Sequence, residues 1–149
     1  MYLSIQLLTH HPKLMPVREL TKAEEEIMRV LWQLKKGFVK DILAELPGTE
    51  RDAETEPDAP TKPAYNTVST IIRILEKKGL VGYTAYGKTH EYYPLITEEV
   101  YRRFQTEQLM SNYFDNSLKK LVSFFVNEKN ISLSEADEII NLLNKKKDQ

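Results

Sequence analysis

The 149-residue chain has no cysteine, which excludes disulfides, thiolate metal sites and thiol nucleophiles and suits a reducing compartment. No apolar run approaches the roughly 18 to 20 residues that span a bilayer. The start, Met1 to Leu8, lacks the basic n-region and small-residue cleavage site of a secretory signal. A cytoplasmic protein without membrane insertion is expected. Also missing are a glycine-rich phosphate cradle, a Ser/His/Asp order supported by elbow glycines, and any cluster with metal-ligand spacing. No enzymatic activity, cofactor or metal is therefore expected, and His10 and His11 have no third ligand near them in sequence. Charge of one sign is lacking too: the net charge of -1 excludes a uniformly basic surface, so the local distribution of charge has to decide.

What is present is a 41% apolar composition, enough for a packed core. Leu20, Ala23, Ile27, Val30, Leu31 and Leu34 recur at spacings of three and four, the pattern of one helix face, with Trp32 read as core. Thr21 and Glu24 have capping-box spacing at its start, and Gly37 is the expected stop. A shorter helix follows, with Val39, Ile42, Leu43 and Leu46 as its buried side and Pro47-Gly48 closing it. Residues 48–63 differ in kind: Glu50, Asp52, Glu54, Glu56 and Asp58 share the stretch with Pro57, Pro60 and Pro63 and no large apolar side chain, which reads as a mobile acidic loop.

From Tyr65 to Lys78, Val68, Ile71, Ile72 and Leu75 mark the inner face of a third helix, while Asn66, Thr67, Ser69, Thr70 and Arg73 surround the other. Gly79 is its C-cap. Leu80–Tyr86 and His90–Leu95, separated by Gly87-Lys88-Thr89, read as a β-hairpin in which Tyr83, Tyr86, Tyr92 and Tyr93 pack across strands and His90 lies on the strand surface. Helix, helix, polar-faced helix and hairpin is the order of a winged helix-turn-helix domain, in which the third helix enters the major groove and the hairpin tip meets the backbone. Asn66 has the chemistry to pair with an adenine edge and Arg73 with guanine or phosphate. Between Lys62 and Leu95, Lys62, Arg73, Lys77, Lys78 and Lys88 outnumber Glu76 and Glu91. Periodicity alone, however, equally accommodates a solvated helix face, and Arg73, Lys77 and Lys78 also suit a helix C-terminus.

Thr97 is the expected cap of a long helix to about Asp115, with further helices around Leu118–Phe125 and Ala136–Leu143, the last capped by Ser134 with Asp137. This third of the chain is amphipathic but thin in apolar residues, which implies a partner surface, most economically a second copy. The expected interface residues are Phe104, Tyr113, Phe114, Leu121, Phe124, Phe125, Ile139, Leu142 and Leu143.

At Tyr65-Asn66-Thr67-Val68-Ser69-Thr70, then Lys78-Gly79-Leu80-Val81 and Tyr92-Tyr93-Pro94-Leu95, the sequence resembles the penicillinase-repressor family (BlaI/MecI/CopY). Leu20–Met28 with Val30-Leu31-Trp32 is similar to the family's first helix, and Leu121-Val122, Phe125-Val126 and Leu142-Leu143 to its C-terminal dimerisation helices. The resemblance implies a mostly α fold with a small hairpin wing. It divides the chain into an extension at 1–18, a winged-helix domain at 19–96 and a helical dimerisation segment at 97–149.

It also implies a homodimeric repressor of operator DNA, with Asn66, Thr67, Ser69 and Thr70 toward the groove and Lys88 as a wing contact; Tyr65, Arg73 and Lys77 complete the expected DNA-binding residues. Many members are released from DNA when a membrane sensor protease triggers cleavage in the C-terminal helices. The corresponding bond falls near Phe124-Phe125, where Phe124 replaces the Asn of cleaved repressors. Without cysteine, the copper-sensing mode of some members is excluded. The acidic loop and the residues before Glu19 exceed the family pattern, and Met15 offers an internal start. Two other functions fit the same architecture: a regulator sensing a small molecule between its dimer helices, and a protein-interaction module that does not bind DNA.

Overall fold

The computed structural model describes residues 19–49, 58–128 and 131–148. The extension at 1–18 and the acidic residues 50–57, including the expected loop mobility, lie outside them. The elements are α1 (Lys22–Leu34), α2 (Val39–Glu45), α3 (Tyr65–Lys77), β1 (Val81–Tyr86), β2 (Thr89–Pro94), α4 (Glu98–Phe114), α5 (Leu118–Asn127) and α6 (Leu133–Lys147). The protein is thus mostly helical with one antiparallel hairpin. It divides into two compact units, Met1–Arg102 and Arg103–Gln149.

In the first unit, α1 opens with the capping box its sequence announces. The Glu24 N–H donates to Thr21 Oγ1 at 3.2 Å, and the Thr21 N–H donates back to Glu24 Oε2 at 3.3 Å. Ile27, Met28, Val30, Leu31 and Trp32 are buried, whereas Ala23 is exposed at the rim of a groove beside the first turn, contrary to the apolar row that included it.

The helix does not stop at Gly37. Lys35 takes the left-handed conformation, with φ of 71°, and its N–H donates to the Leu31 carbonyl. That early turn frees Gly37 to pair with β2, donating to Tyr92 O at 2.9 Å and accepting from the Tyr92 N–H at 2.8 Å. A Cβ on Gly37 would lie in van der Waals contact, 3.4 Å from both Leu34 Cδ1 and Asp41 Cβ.

α2 buries Val39 and Ile42, and Leu46 follows them into the core. The chain then turns at Gly48 and forms a neck around the acidic loop. The Thr49 N–H donates to Pro60 O and the Lys62 N–H to Thr49 O, both at 3.0 Å. Lys62 Nζ closes the neck onto α2 by donating to Ala44 O at 2.6 Å, a last-turn carbonyl that the helix leaves without an internal partner. Residues 49 and 61–62, on either side of the acidic stretch, are thereby held side by side.

α3 fills the centre with Val68, Ile72 and Leu75, each fully enclosed. It ends in a Schellman motif: the Gly79 N–H donates to Glu76 O and the Leu80 N–H to Leu75 O, with Gly79 at φ 76°. The hairpin pairs Val81 with Pro94 through Tyr86 with Thr89, each strand shifted by about one residue from the sequence expectation. Its turn places Gly87 at φ 64° and Lys88 at the tip, the type II′ pattern that matches strand twist. Val81 and Tyr92 are the core residues of the wing, while Tyr83, Tyr86 and Tyr93 are exposed. Trp32 is core as expected. Its Nε1–H donates to Ile96 O at 2.9 Å and its ring lies 5.5 Å from that of Tyr101, which holds the first turn of α4 within this unit.

In the second unit, Asp115 and Asn116 adopt positive φ between α4 and α5. Ser117 caps α5 by accepting from the Lys120 N–H. The cap of α6 is Ser132, accepting from the Glu135 N–H at 3.1 Å, and not Ser134. Ser132 has the extended backbone that a cap needs, whereas Ser134 already lies inside the helix. Rings of Phe114 and Phe124 meet at 5.8 Å and those of Phe124 and Phe125 at 5.6 Å. No described side chain of this unit is buried.

Candidate nucleic-acid interface

The anchored face of α3 determines what its other face presents. With Val68, Ile72 and Leu75 in the core, Asn66, Thr70, Arg73 and Lys77 form an outward stripe at helical spacing, all exposed, with Tyr65 and Thr67 exposed beside it. Ser69 is half-buried toward the wing. Thr70 has one capacity fewer than its sequence suggests, because its hydroxyl donates to Asn66 O at 2.8 Å and retains only acceptor lone pairs for a ligand.

Arg73 stands beside the Tyr92 hydroxyl at the joint of helix and wing. Burial pushes the Tyr92 phenol above its ordinary value, the Glu76 carboxylate pushes the same way, and the Arg73 guanidinium opposes both. Tyr92 therefore remains a neutral phenol beside the cation at physiological pH.

The cations sort into two groups. Lys78 is committed to Glu24, Lys62 to the end of α2, and Glu91 is paired with Lys36 at 3.5 Å. Lys40, Lys77 and Lys88 form no ion pair among the described residues and, with Arg73, leave the α3 and wing side positive. Between α2, α3 and the wing lies a polar notch of about 360 Å³, lined among others by Phe38, Lys40, Tyr65, Ser69, Lys88 and His90. Sequence reading missed Lys40 and His90, since a lysine on a short helix and a histidine on a strand carry no signal until the elements meet. His90 is half-buried, its ring stacked on Tyr83 at 4.2 Å and 9°.

A second groove, of about 680 Å³, lies on the α1 and α2 side, lined by Ala23, Ile27, Leu43, Leu46, Lys62 and Ile71 with neighbouring residues. The residues expected at a dimer interface are elsewhere, in the second unit. Tyr113, Phe124, Phe125, Ile139, Leu142 and Leu143 are exposed, and Phe104, Phe114 and Leu121 are half-buried. Phe124 and Phe125, the expected cleavage region, lie inside α5.

Two helices, a third with a polar outer stripe, and a hairpin pinned by Gly37 and Tyr92 to the turn after the first helix define a winged helix-turn-helix protein. The penicillinase repressor family profile matches residues 20–145, and the chain belongs to that family. It is a DNA-binding transcriptional repressor. Relatives include the methicillin resistance regulatory protein MecI of Staphylococcus aureus (strain N315), 27% identical over 86% of this chain and 95% of that protein. The penicillinase repressor of Bacillus licheniformis is 23% identical over 89% of this chain and 95% of its own. Among solved structures, a CopR repressor is 28% identical, covering 53% of this chain and 99% of that one, with a TM-score of 0.37. BpsR of Bordetella bronchiseptica is 16% identical over 99% and 93% of the two chains, with a TM-score of 0.40.

Proposed function

We propose that two copies of this chain, joined through their C-terminal helices, act in the cytoplasm on a dyad operator and repress by occluding the promoter, without a catalytic step. The observation that carries this is the stripe Asn66, Thr70, Arg73 and Lys77 on a helix whose opposite face is locked into the core. A rigid helix with short polar side chains near its start and cations near its end suits major-groove entry. Asn66 would read a base edge, Thr67, Ser69 and Thr70 would touch bases or phosphates, and Arg73, Lys77 and Lys88 would reach guanine or phosphate. Half-sites about one helical turn apart, roughly 34 to 36 Å, follow from a symmetric pair of reading heads.

Dimerisation through the second unit is supported by its lack of any buried described side chain and by the exposure of Leu142, Leu143, Phe124 and Phe125. Cleavage near Phe124-Phe125 under an indirect membrane sensor protease is the release step that belongs to this reading, and intact-mass analysis of the chain after induction tests it. Ligand sensing is a second reading, favoured by the 680 Å³ groove beside the first turn of α1; it predicts release from DNA by a small molecule with no loss of mass.

The deciding experiment measures binding of the purified chain to the DNA upstream of its own gene against a scrambled competitor, across salt, with particle mass in the same buffer. Competitor-resistant binding by a dimer supports the proposal. Equal affinity for both DNAs overturns it in favour of a protein-interaction module.

A further inference from the structure

We propose that the notch between α2, α3 and the wing holds one backbone phosphate of the bound DNA, and that His90 takes up a proton when the phosphate enters. This rests on the DNA-binding reading and adds to it two residues, Lys40 and His90, and a dependence on pH.

The notch is built from three directions. α2 and the residue capping it contribute Phe38, Val39 and Lys40, α3 contributes Tyr65 and Ser69, and the wing contributes Lys88, Thr89, His90 and Tyr92. Its donors are two ammonium groups, two hydroxyls of Ser69 and Thr89, the phenols and the imidazole, and no carboxylate lines it. A pocket furnished with cations and donors and lacking acceptor charge matches an anion. The DNA backbone supplies that anion at the place where recognition helix and wing converge.

Among the described residues, His90 is the one imidazole lining the notch. Its ring lies flat on the Tyr83 ring, 4.2 Å away, and edge-on to Tyr92 at 6.0 Å, so its orientation is held by aromatic contacts. In register it stands opposite Ala85, which brings no charge. The charged side chains around it are Lys40 and Lys88 at the notch itself and, from α3, Arg73 and Glu76 beside the Tyr92 phenol. Glu91, the adjacent carboxylate, points to the other face of the strand and pairs with Lys36 at 3.5 Å. A phosphate in the notch favours the imidazolium through its negative charge, and the stacked Tyr83 ring face tolerates a cation.

The test measures affinity for the upstream duplex between about pH 6 and about pH 8 at fixed ionic strength, for the wild type, His90→Gln and His90→Phe. The wild type should bind about three- to tenfold more tightly at the acidic end than at the alkaline end, and both variants should lose that dependence and bind more weakly than the wild type at the acidic end. His90→Phe keeps the aromatic stack, so it guards against a packing defect in His90→Gln. Calorimetry in two buffers of different ionisation heat should show proton uptake on binding for the wild type alone. Lys40→Ala should weaken binding at every pH and lower the salt slope by about one. Operator-specific binding that is flat with pH, or equally pH-dependent without His90, overturns the notch and leaves the repressor intact. Failure to prefer the upstream duplex over scrambled DNA at any pH overturns both.

Discussion

Lys78 Nζ lies 2.8 Å from Oε2 and 3.0 Å from Oε1 of Glu24, a buried carboxylate that also closes the Thr21 cap. One ion pair thus ties the end of α3 to the start of α1 and withdraws Lys78 from any role at DNA. Lys78→Ala leaves the carboxylate without its cation and should lower the unfolding free energy in urea by about 1 to 3 kcal/mol, the smaller end reflecting a partly exposed lysine. Lys77→Ala, one residue earlier and exposed, should stay within about 0.5 kcal/mol and weaken DNA binding instead. Equal stability losses would remove the distinction between the two.

Gly48 is the least replaceable glycine. Its φ is 112°, and a Cβ there would sit 2.7 Å from both Lys62 N and Thr61 C, so backbone has to move. Gly48→Ala should cost at least about 2 kcal/mol, against about 1 kcal/mol for Gly87→Ala, where φ is unfavourable but no atom lies within 4 Å. Thermal denaturation of the two variants side by side gives the comparison.

Asn66 and Lys88 should separate sequence reading from backbone contact. Asn66→Ala should cost about 1 to 3 kcal/mol at one operator position, whereas Lys88→Ala should weaken binding to all sequences and flatten the salt slope. Binding to a set of singly substituted operators distinguishes them, and the same loss on random DNA for both would contradict the assigned roles.

Leu142, exposed on α6, is placed to report the dimer. Leu142→Asp should raise the dimer dissociation constant at least about tenfold, which corresponds to about 1.4 kcal/mol. Sedimentation at several concentrations measures it, and an unchanged constant would direct the interface to another face.

Tyr92 sets an alkaline dependence. Burial, then Glu76, raises its phenol above the ordinary 10.0, so the folded chain holds the proton more tightly than the unfolded one. Its contribution is complete below about pH 10 and is lost as pH rises through the folded-state value. Tyr92→Phe should therefore lose less stability than the wild type on going above about pH 10, as followed by circular dichroism in urea. A parallel decline in both proteins would assign the alkaline loss to other groups.

Local chemistry was legible where neighbours in sequence are also partners in space. Thr21 and Glu24, three residues apart, are both needed for the cap and nothing else is. The Schellman turn at Gly79 is likewise contained within six residues. Where two local solutions compete, the pattern misleads: Lys35 rather than Gly37 ends α1 because Gly37 is claimed by Tyr92, 55 residues away. Ser134 yields to Ser132 because only the latter has cap geometry.

The sequence by itself determined the order of helices and hairpin, the apolar face of each, and the polar composition of the third helix, since these follow from periodicity and residue type within short windows. Only the tertiary structure decided which charges and hydrogen-bond donors remain for a partner. Lys78 was removed by Glu24, half of Thr70 by Asn66, and Glu91 by Lys36, while Lys40 and His90 were brought from separate elements into one notch. Coulomb and hydrogen-bond energies depend on distance in space, and that distance exists only once the chain has folded.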